Sequence, residues 1–452
     1  MKKHIILSAM TIGLLSSANA ADSLGSMFSE GKVSGQIREY SIIRSYDTSV
    51  GTGSTRKANA IGGHLKFDTA TYNGISLGTA FYTTNGFANQ SPKTDYSAVD
   101  PTLLGNNNES YSILGEAYLQ VELSKTILKA GRQKLVTPLA SADDARMLPN
   151  LFEAYMLTNT DIPNTTLVVG HVSKFAQGTF GRVYDGAGSA ANTILSATSG
   201  YSAVDSRTRV GKFVNMGEYA VGKVTDGVTV GAAIYKNGNL KLQLWDYYAH
   251  DILNAIYAQV DYSINVGSVK PFVGAQFIKE SDVGSKELKN LGGTGELDST
   301  YYALKAGLKV ENFTAYAAYS STGDNSATDA SYTNAIISPW GGMPAFTQGM
   351  VTRHQFLAGT KATKLAAVYN WKSFGPDLKT VLYYANYDMD QNNGYTFYDA
   401  KETGFDIIYK PAMVKGLNLR LRGNYADDFH AAANNGTKTS WDEYRVIVNY
   451  NF

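Results

Sequence analysis

The chain has 452 residues, with 40 Lys and Arg against 39 Asp and Glu, and it contains no Cys. The net charge of +1 gives no bulk electrostatic reason to expect nucleic acid as a partner, and without Cys no disulfide can stabilise the chain. The mean hydropathy of −0.20 is typical of soluble proteins, but the alternating strands of a membrane barrel average to a similar value. The hydropathy therefore excludes neither a soluble protein nor a membrane barrel.

The first 20 residues are typical of an export signal. A basic start at Lys2 and Lys3 precedes an apolar stretch over residues 5–15, and Ala18-Asn19-Ala20 forms a small-x-small cleavage site. The apolar stretch is too short for a membrane-spanning helix. We therefore expect a signal peptide over residues 1–20 and a single mature domain over residues 21–452.

From residue 31 onward the chain repeats a strand of about ten residues followed by a connection. In residues 417–422, for example, three leucines alternate with Asn418, Arg420 and Arg422, which is the period of two of a strand with unlike faces. We predict eighteen strands, near residues 31–46, 60–71, 75–84, 110–123, 125–133, 151–159, 165–174, 211–223, 228–248, 252–264, 268–280, 298–310, 313–321, 355–373, 378–388, 401–411, 416–425 and 441–452. The stretch 228–248 is one long strand, or a hairpin if residues 236–239 form a turn.

Alternate connections are short and rich in turn residues, such as Tyr72-Asn73-Gly74, while the others are long and polar. The last strand, residues 441–452, has an apolar face that begins and ends with aromatic residues and stops on Phe452. Its length suits a tilted membrane strand, and closure of a barrel leaves no edge in lipid. We therefore expect an all-β, transmembrane, antiparallel β-barrel of about 18 strands in the bacterial outer membrane, surrounded by its lipid, with short periplasmic turns and long extracellular loops.

Three segments resemble the OprD family of outer-membrane porins, in particular its Opr-type branch. They are Gly131-Arg132-Gln133 with Pro138 and residues 143–153, residues 338–346, and residues 442–450. The resemblance implies an 18-stranded barrel whose third and seventh outer loops, near 134–150 and 323–352, fold inward to narrow the pore. It also implies that Phe452 is an assembly signal for the barrel assembly machinery.

Several charged residues are predicted to face the lumen. Arg420, Arg422, Arg445 and Lys66 alternate with apolar neighbours, and Arg38 is expected to point the same way. Barrel closure brings their strands together, which predicts one basic wall. The resemblance implies acidic loop residues opposite it, and the candidates are Asp143 and Asp144, beside Arg146, in the third loop and Asp324 and Asp329 in the seventh. The alternative is local ion pairing with Glu402, Asp406 or Glu443.

The predicted function is a porin for passive diffusion of small hydrophilic solutes, favouring those with carboxylates. The alternatives are a plugged structural or adhesive barrel and an outer-membrane hydrolase. We expect no enzyme activity, no cofactor and no metal, because the sequence has no catalytic motif and its His residues are scattered. Residues 388–394 with Asp399 approach a calcium loop, but the glycine comes one place late, and a polar hairpin loop is the alternative. The sequence is compatible with a monomer or a homotrimer.

Overall fold

The computed structural model describes residues 20–47, 55–87, 98–184, 190–202, 204, 209–291, 295–396, 398–431 and 438–452. Of the predicted signal peptide, residues 1–20, only Ala20 lies within the described residues. Eighteen strands of the described chain form one closed antiparallel sheet. They are Lys32–Tyr46 (β1), Thr55–Asp68 (β2), Ile75–Gly86 (β3), Tyr111–Leu123 (β4), Thr126–Gln133 (β5), Leu151–Asn159 (β6), Thr165–Ala176 (β7), Val228–Asn237 (β8), Leu240–Ala249 (β9), Leu253–Ser263 (β10), Val269–Asp282 (β11), Asp298–Val310 (β12), Phe313–Thr322 (β13), Lys361–Asn370 (β14), Asp377–Asp388 (β15), Ala400–Lys410 (β16), Leu417–Ala431 (β17) and Lys438–Asn451 (β18).

The barrel closes between its first and last strands. β1 pairs with β18 in antiparallel register from Gln36 opposite Asn451 to Tyr46 opposite Trp441. The chain end joins the same seam. The amide of Phe452 donates to the carbonyl oxygen of Gly35 at 3.1 Å, and the carbonyl oxygen of Phe452 accepts from the amide of Gly35 at 3.0 Å. Closure pairs the backbone groups that an open sheet would leave at its edges.

The connections differ at the two ends of the barrel. At one end they are short turns, such as residues 124–125, 238–239 and 311–312, whereas the third, fourth and seventh connections of the other end span residues 134–150, 177–227 and 323–360. The α-helices of the described chain are Leu24–Ser29 (α1), which precedes β1, and Ala190–Thr198 (α2) and Met216–Val221 (α3), which lie in the fourth connection. Short 3-10 helices lie at Asn106–Asn108, Thr179–Tyr184, Glu287–Leu291, His354–Phe356 and Trp371–Phe374.

None of the helices among the described residues is both long enough and apolar enough to cross a membrane.

Side chains alternate between a buried inner face and an exposed outer face. On β18, Glu443 and Arg445 are buried, while Tyr444 and Val446 between and beyond them are exposed. The exposed face is apolar and the buried face carries the charges, which is the reverse of a water-soluble sheet. This alternation is the one expected of a barrel whose outside contacts lipid.

Two of the predicted strands are wrong, but the total stays at eighteen because one of them is not a barrel strand and the other is two strands. Residues 211–223 are not a barrel strand: Val214–Asn215 pairs briefly with β7, and α3 follows. Asn215 caps α3 by accepting from two amides, and Gly222 ends it with a left-handed φ of 77°. Residues 228–248 form the hairpin β8–β9 around Gly238, whose φ is 56°. The prediction of eighteen strands is confirmed, although one strand was misplaced and one divided.

Candidate functional site

The third loop, residues 134–150, is bound to the inner wall at the seam of the barrel. Arg38 of β1 holds Asp144 with two hydrogen bonds, from Nη1 to Oδ1 at 2.6 Å and from Nη2 to Oδ2 at 3.1 Å. Nε of the same guanidinium donates to Asn449 Oδ1 of β18 at 2.8 Å. Such a bidentate pair fixes geometry as well as charge, so Asp144 is held at the junction of the first and last strands.

A buried ion network lies beside this contact. The carboxylate of Glu443 accepts from Arg44 Nε at 2.7 Å, from Arg146 Nη2 at 3.0 Å and from Arg445 Nε. Arg44 also lies 3.5 Å from Asp100 Oδ2. Arg146 and Arg445 are each only 1 % exposed. The structure therefore places these two predicted lumen residues in a buried network that joins the third loop to the wall, away from the water-accessible surface.

Two other predicted residues, Arg420 and Arg422 of β17, share one carboxylate. Arg420 donates to Asp406 Oδ1 from Nε at 2.7 Å and to Oδ2 from Nη2. Arg422 Nε lies 3.4 Å from Asp406 Oδ2. Their side chains are 32 % and 15 % exposed. The alternative of local ion pairs therefore describes Arg420 and Arg445. Arg420 and Arg422 nevertheless share the single carboxylate of Asp406, which leaves one positive charge in excess.

Lys66 of β2 lies on the same wall, nearer the short-turn end of the barrel, and has acidic neighbours. Its Nζ is 3.4 Å from Asp68 Oδ2 and 3.3 Å from Glu116 Oε2. Two lysines that the sequence analysis missed belong to this region. Lys129 Nζ lies 3.6 Å from the ring centre of Tyr118, and the exposed Lys134 begins the third loop and acts electrostatically on Asp144. Lys129 closely precedes the Gly131-Arg132-Gln133 segment and Lys134 directly follows it, so that segment was the available signal.

Asp143 and Asp144 are neighbours in sequence but point to different partners. Asp143 has a left-handed φ of 40° and lies against the seventh loop, with Oδ2 3.8 Å from Arg353 Nη1. Burial raises the pKa of Asp143. Burial acts in the same direction on Asp144, but the adjacent Arg38 outweighs it and the pKa of Asp144 is lowered. Asp144, with a side chain 41 % exposed, is thus the ionised carboxylate that water reaches.

Part of the seventh loop follows the inside of the wall, and we call residues 344–354 the internal belt. The belt is hydrogen-bonded to β11 and to every strand from β13 to β17. The contacts are Phe346 N to Gln276 Oε1 (3.1 Å), Thr347 with Ser320 (2.7 Å), Gln348 O from Lys364 Nζ (2.5 Å), Gly349 N to Tyr387 OH (2.6 Å), Met350 N to Glu402 Oε1 (2.7 Å) and His354 Nε2 with Phe429 O (2.8 Å).

Glu402 of β16 is the strongest of these attachments. Its buried carboxylate accepts from three consecutive amides of the belt, those of Met350 at 2.7 Å, Val351 at 3.2 Å and Thr352 at 2.6 Å. The hydroxyl of Tyr383 donates to the same carboxylate. A carboxylate that collects several amides holds a loop without regular secondary structure in one position.

The fourth loop, which the sequence analysis did not include in the site, joins the third and seventh. Ser338 N donates to Ala197 O at 2.8 Å, and Trp340 Nε1 donates to Met216 O at 3.1 Å. Ser141 N of the third loop donates to Trp340 O at 3.0 Å. Trp340 is therefore shared by all three loops. This partnership depends on contacts between residues far apart in sequence, so no local pattern signals it.

The remaining candidate groups have local roles. Asp329 Oδ2 accepts from Ser326 N at 2.7 Å within its own loop, and Asp324 lies beside Gly359. Asp390 and Asp399 accept from the amides of Asn392 and Met389. Within the described ranges, no group of three or more His, Cys, Asp or Glu side chains is placed to hold a metal ion.

Comparison with known proteins gives a consistent picture. The sequence model of the outer membrane porin OprD family matches residues 28–452. Porin D of Pseudomonas aeruginosa is 24% identical over 411 residues, covering 85% of this chain and 84% of Porin D. The structure of Acinetobacter baumannii OccAB3 matches with a TM-score of 0.73 at 18% identity, over 94% of this chain and 99% of OccAB3. Pseudomonas aeruginosa OccK2 (OpdF), solved in complex with glucuronate, has a TM-score of 0.68 at 16% identity, over 94% and 99% of the two chains.

Proposed function

The chain belongs to the OprD family of outer membrane porins, and on that premise we propose that its channel favours small hydrophilic solutes that carry a carboxylate. The family places the protein in the bacterial outer membrane, where porins allow passive diffusion. The proposal concerns the preference among solutes and the residues that produce it. We infer that no catalytic activity accompanies transport.

The observation that carries the proposal is the charge balance around Asp406. Arg420 and Arg422 share this single carboxylate, and both side chains are partly exposed. Arg422 Nε reaches Asp406 Oδ2 only at 3.4 Å and makes no hydrogen bond to it. The excess guanidinium charge suits a solute carboxylate, because charge-assisted hydrogen bonds of this kind are the strong ones.

The third loop supplies the opposite sign. Asp144 is ionised, partly exposed and fixed by Arg38. We propose that Arg38, Lys66, Asp144, Arg420 and Arg422 line the path, and that Asp143, Arg146 and Arg445 act from behind it by holding the loops. Cations on the wall and an anion on the loop create a transverse field, which orients a dipolar or anionic solute as it passes.

We also propose that the third and seventh loops form the constriction. The Arg38–Asp144 pair fixes the third loop on β1, and the internal belt fixes the seventh loop along β11 and the strands from β13 to β17. Both attachments use buried or half-buried charged groups, which hold a loop more firmly than neutral contacts do. The constriction is thus expected to keep its shape while solutes pass.

Swelling of proteoliposomes in isotonic glucuronate and in isotonic glucose tests the proposal, because the two sugars are similar in size and differ in charge. The glucuronate complex of OccK2 supports this choice of probe. We expect faster swelling in glucuronate after correction for its counterion. Equal or faster swelling in glucose would contradict the carboxylate preference, and the absence of swelling in both would favour the plugged structural barrel.

A further inference from the structure

Three charged side chains form a row across the outer face of β5, β6 and β7, and we call Arg132, Glu153 and Lys174 the rim row. Glu153 lies opposite Arg132 on one side and opposite Lys174 on the other. Its Oε2 is 3.7 Å from Arg132 Nε, and its Oε1 is 2.9 Å from Lys174 Nζ. Two cations therefore flank one anion, which leaves one positive charge in excess.

The rim row points away from the lumen, at the end of the barrel that carries the long loops. Tyr155, two residues after Glu153 on β6, is 61 % exposed, so the strand period places Glu153 on the same outer face. Tyr155 also begins a second row across β6–β9, which continues through His171 and Thr229 to Tyr248. Aromatic residues mark the lipid–water interface of membrane barrels. The rim row lies about 7 Å beyond that level, at about 3.3 Å per strand residue, and is thus at the depth of lipid headgroups.

Other charges near the same level on the outer face are already matched. Lys279 of β11 forms an ion pair with Asp298 of β12. Asp246 of β9 accepts from Asn254 Nδ2 of β10 at 2.7 Å. These positions are balanced by neighbours on the adjacent strand, whereas the rim row has two cations for a single carboxylate. The excess charge distinguishes the rim row from these neighbouring parts of the rim.

The two cations of the rim row are accessible, and one of them is held in place. The side chains of Arg132 and Lys174 are 36 % and 46 % exposed. The guanidinium of Arg132 lies 4.5 Å from the ring centre of Phe213 in the fourth loop, and its Nη1 donates to Leu114 O at 3.3 Å. The exposed Lys212 directly precedes Phe213 and adds positive charge to the same side of the barrel.

The wall below the rim row is apolar. Leu128 of β5, Leu157 of β6 and Val169 of β7 are all exposed on the outer face, nearer the middle of the membrane. A cationic row above an apolar wall matches a lipid, which carries its phosphate above its acyl chains. Arg and Lys bind phosphate through charge-assisted hydrogen bonds, and basic groups at headgroup depth attract anionic lipids.

We propose that the rim row binds the phosphate of a phosphorylated glycolipid in the outer leaflet, with Arg132 and Lys174 as the ligating groups. The long-loop end of the barrel faces outward in this family of outer membrane porins, so the lipid that meets the row belongs to the outer leaflet. The acyl chains of the same lipid cover the apolar wall below. The proposal concerns the outer surface and is independent of which solutes the channel prefers.

Native mass spectrometry of the mature chain in detergent, with added bis-phosphorylated lipid A, tests the proposal. We expect one lipid A to be retained, and Arg132→Gln/Lys174→Gln to reduce the retained fraction several-fold. The matched control is Lys279→Gln/Lys361→Gln, which also removes two outward lysines near the rim, each facing an aspartate on the next strand. Equal losses in the two double variants would overturn the proposal. So would equal retention of lipid A that lacks both phosphates, or of phosphatidylglycerol.

Glu153→Gln separates phosphate binding from a merely structural role of the row. Glu153 competes with a phosphate for both cations, so its neutralisation should raise lipid A retention several-fold. If the row only holds the three strands together, the same change should lower retention or leave it unchanged, and either result in a folded barrel would overturn the proposal. The heat-dependent gel mobility of each variant shows whether its barrel is folded.

Discussion

Arg422 of β17 lies directly opposite Arg445 of β18 in the antiparallel register, so two guanidinium groups occupy one cross-strand pair. Like charges at such a position are destabilising unless other groups compensate. Arg445 is compensated by Glu443 and by Asn424 Oδ1, to which its Nη2 donates at 2.8 Å. Arg422 turns to Asp406, which Arg420 already holds. The register thus leaves excess positive charge at Arg420 and Arg422.

The two acidic residues of the third loop should behave differently when neutralised. Asp144→Asn leaves Arg38 without its carboxylate, so the channel should become more permeable to anions. Asp143→Asn should change selectivity little, because the Asp143 side chain lies against Arg353 and is only 14 % exposed, compared with 41 % for Asp144. Reversal potentials across a KCl gradient measure both. A larger shift for Asp143→Asn than for Asp144→Asn would contradict the assigned orientations.

The effect of Asp144 should persist on mild acidification. Arg38 lowers the pKa of Asp144 below its ordinary value of about 3.9. The ion pair is therefore fully present above that value and is lost as the pH falls through the lower folded pKa. The difference in reversal potential between wild type and Asp144→Asn should be the same at pH 7 and pH 5. Its loss by pH 5 would show that Asp144 is not held ionised.

Glu402→Gln should loosen the internal belt without unfolding the barrel. The substitution removes the charge that collects three belt amides, and hydrogen bonds to a charged group contribute about 1.5–3 kcal/mol each. We expect larger current fluctuations and altered single-channel conductance in planar bilayers. The control is Glu122→Gln at the exposed end of β4, which should match wild type. Quiet, wild-type currents from Glu402→Gln would show that the belt does not depend on this residue.

Loss of the terminal residue should impair assembly. Deleting Phe452 removes both backbone hydrogen bonds to Gly35 at the seam, and Phe452→Asp places an anion near the lipid boundary. Both variants should show several-fold lower outer-membrane levels, with protein accumulating in the periplasm. Phe374→Asp, at an exposed turn, serves as the control for an added surface anion. Normal surface levels of both terminal variants would exclude Phe452 as an assembly signal.

Much of the barrel was predictable because one face of each strand meets lipid, which enforces a period of two. The period-two pattern gave a wrong prediction where a segment is buried by protein instead of contacting lipid. α3 is buried on nearly all sides, so its residues show no helical face, although Asn215 and Gly222 were readable as caps. The hairpin at Gly238 was readable from the polar turn residues Lys236-Asn237-Gly238-Asn239, and the sequence analysis kept it as the alternative to one long strand.

The site was predictable only in part. The alternation of residues 417–422 predicts that Arg420 and Arg422 point inward, since direction depends on the local period alone. Which carboxylate each arginine meets depends on strand register, which places Asp406 opposite Arg422. The attachment of the internal belt to Glu402 joins residues about fifty positions apart through a loop without periodicity, so the sequence gives no signal for it.

The central claim is that Arg420 and Arg422 supply the positive charge that selects solutes, and the reversal potential of Arg420→Gln/Arg422→Gln tests it most directly. Lys410→Gln, at the exposed end of β16, is the matched control for lost positive charge. The double variant should shift toward cation selectivity in low salt, and the shift should shrink near 1 M salt, where the screening length is about 3 Å. The control should not shift. An unchanged reversal potential in a double variant that still inserts and conducts would contradict the account.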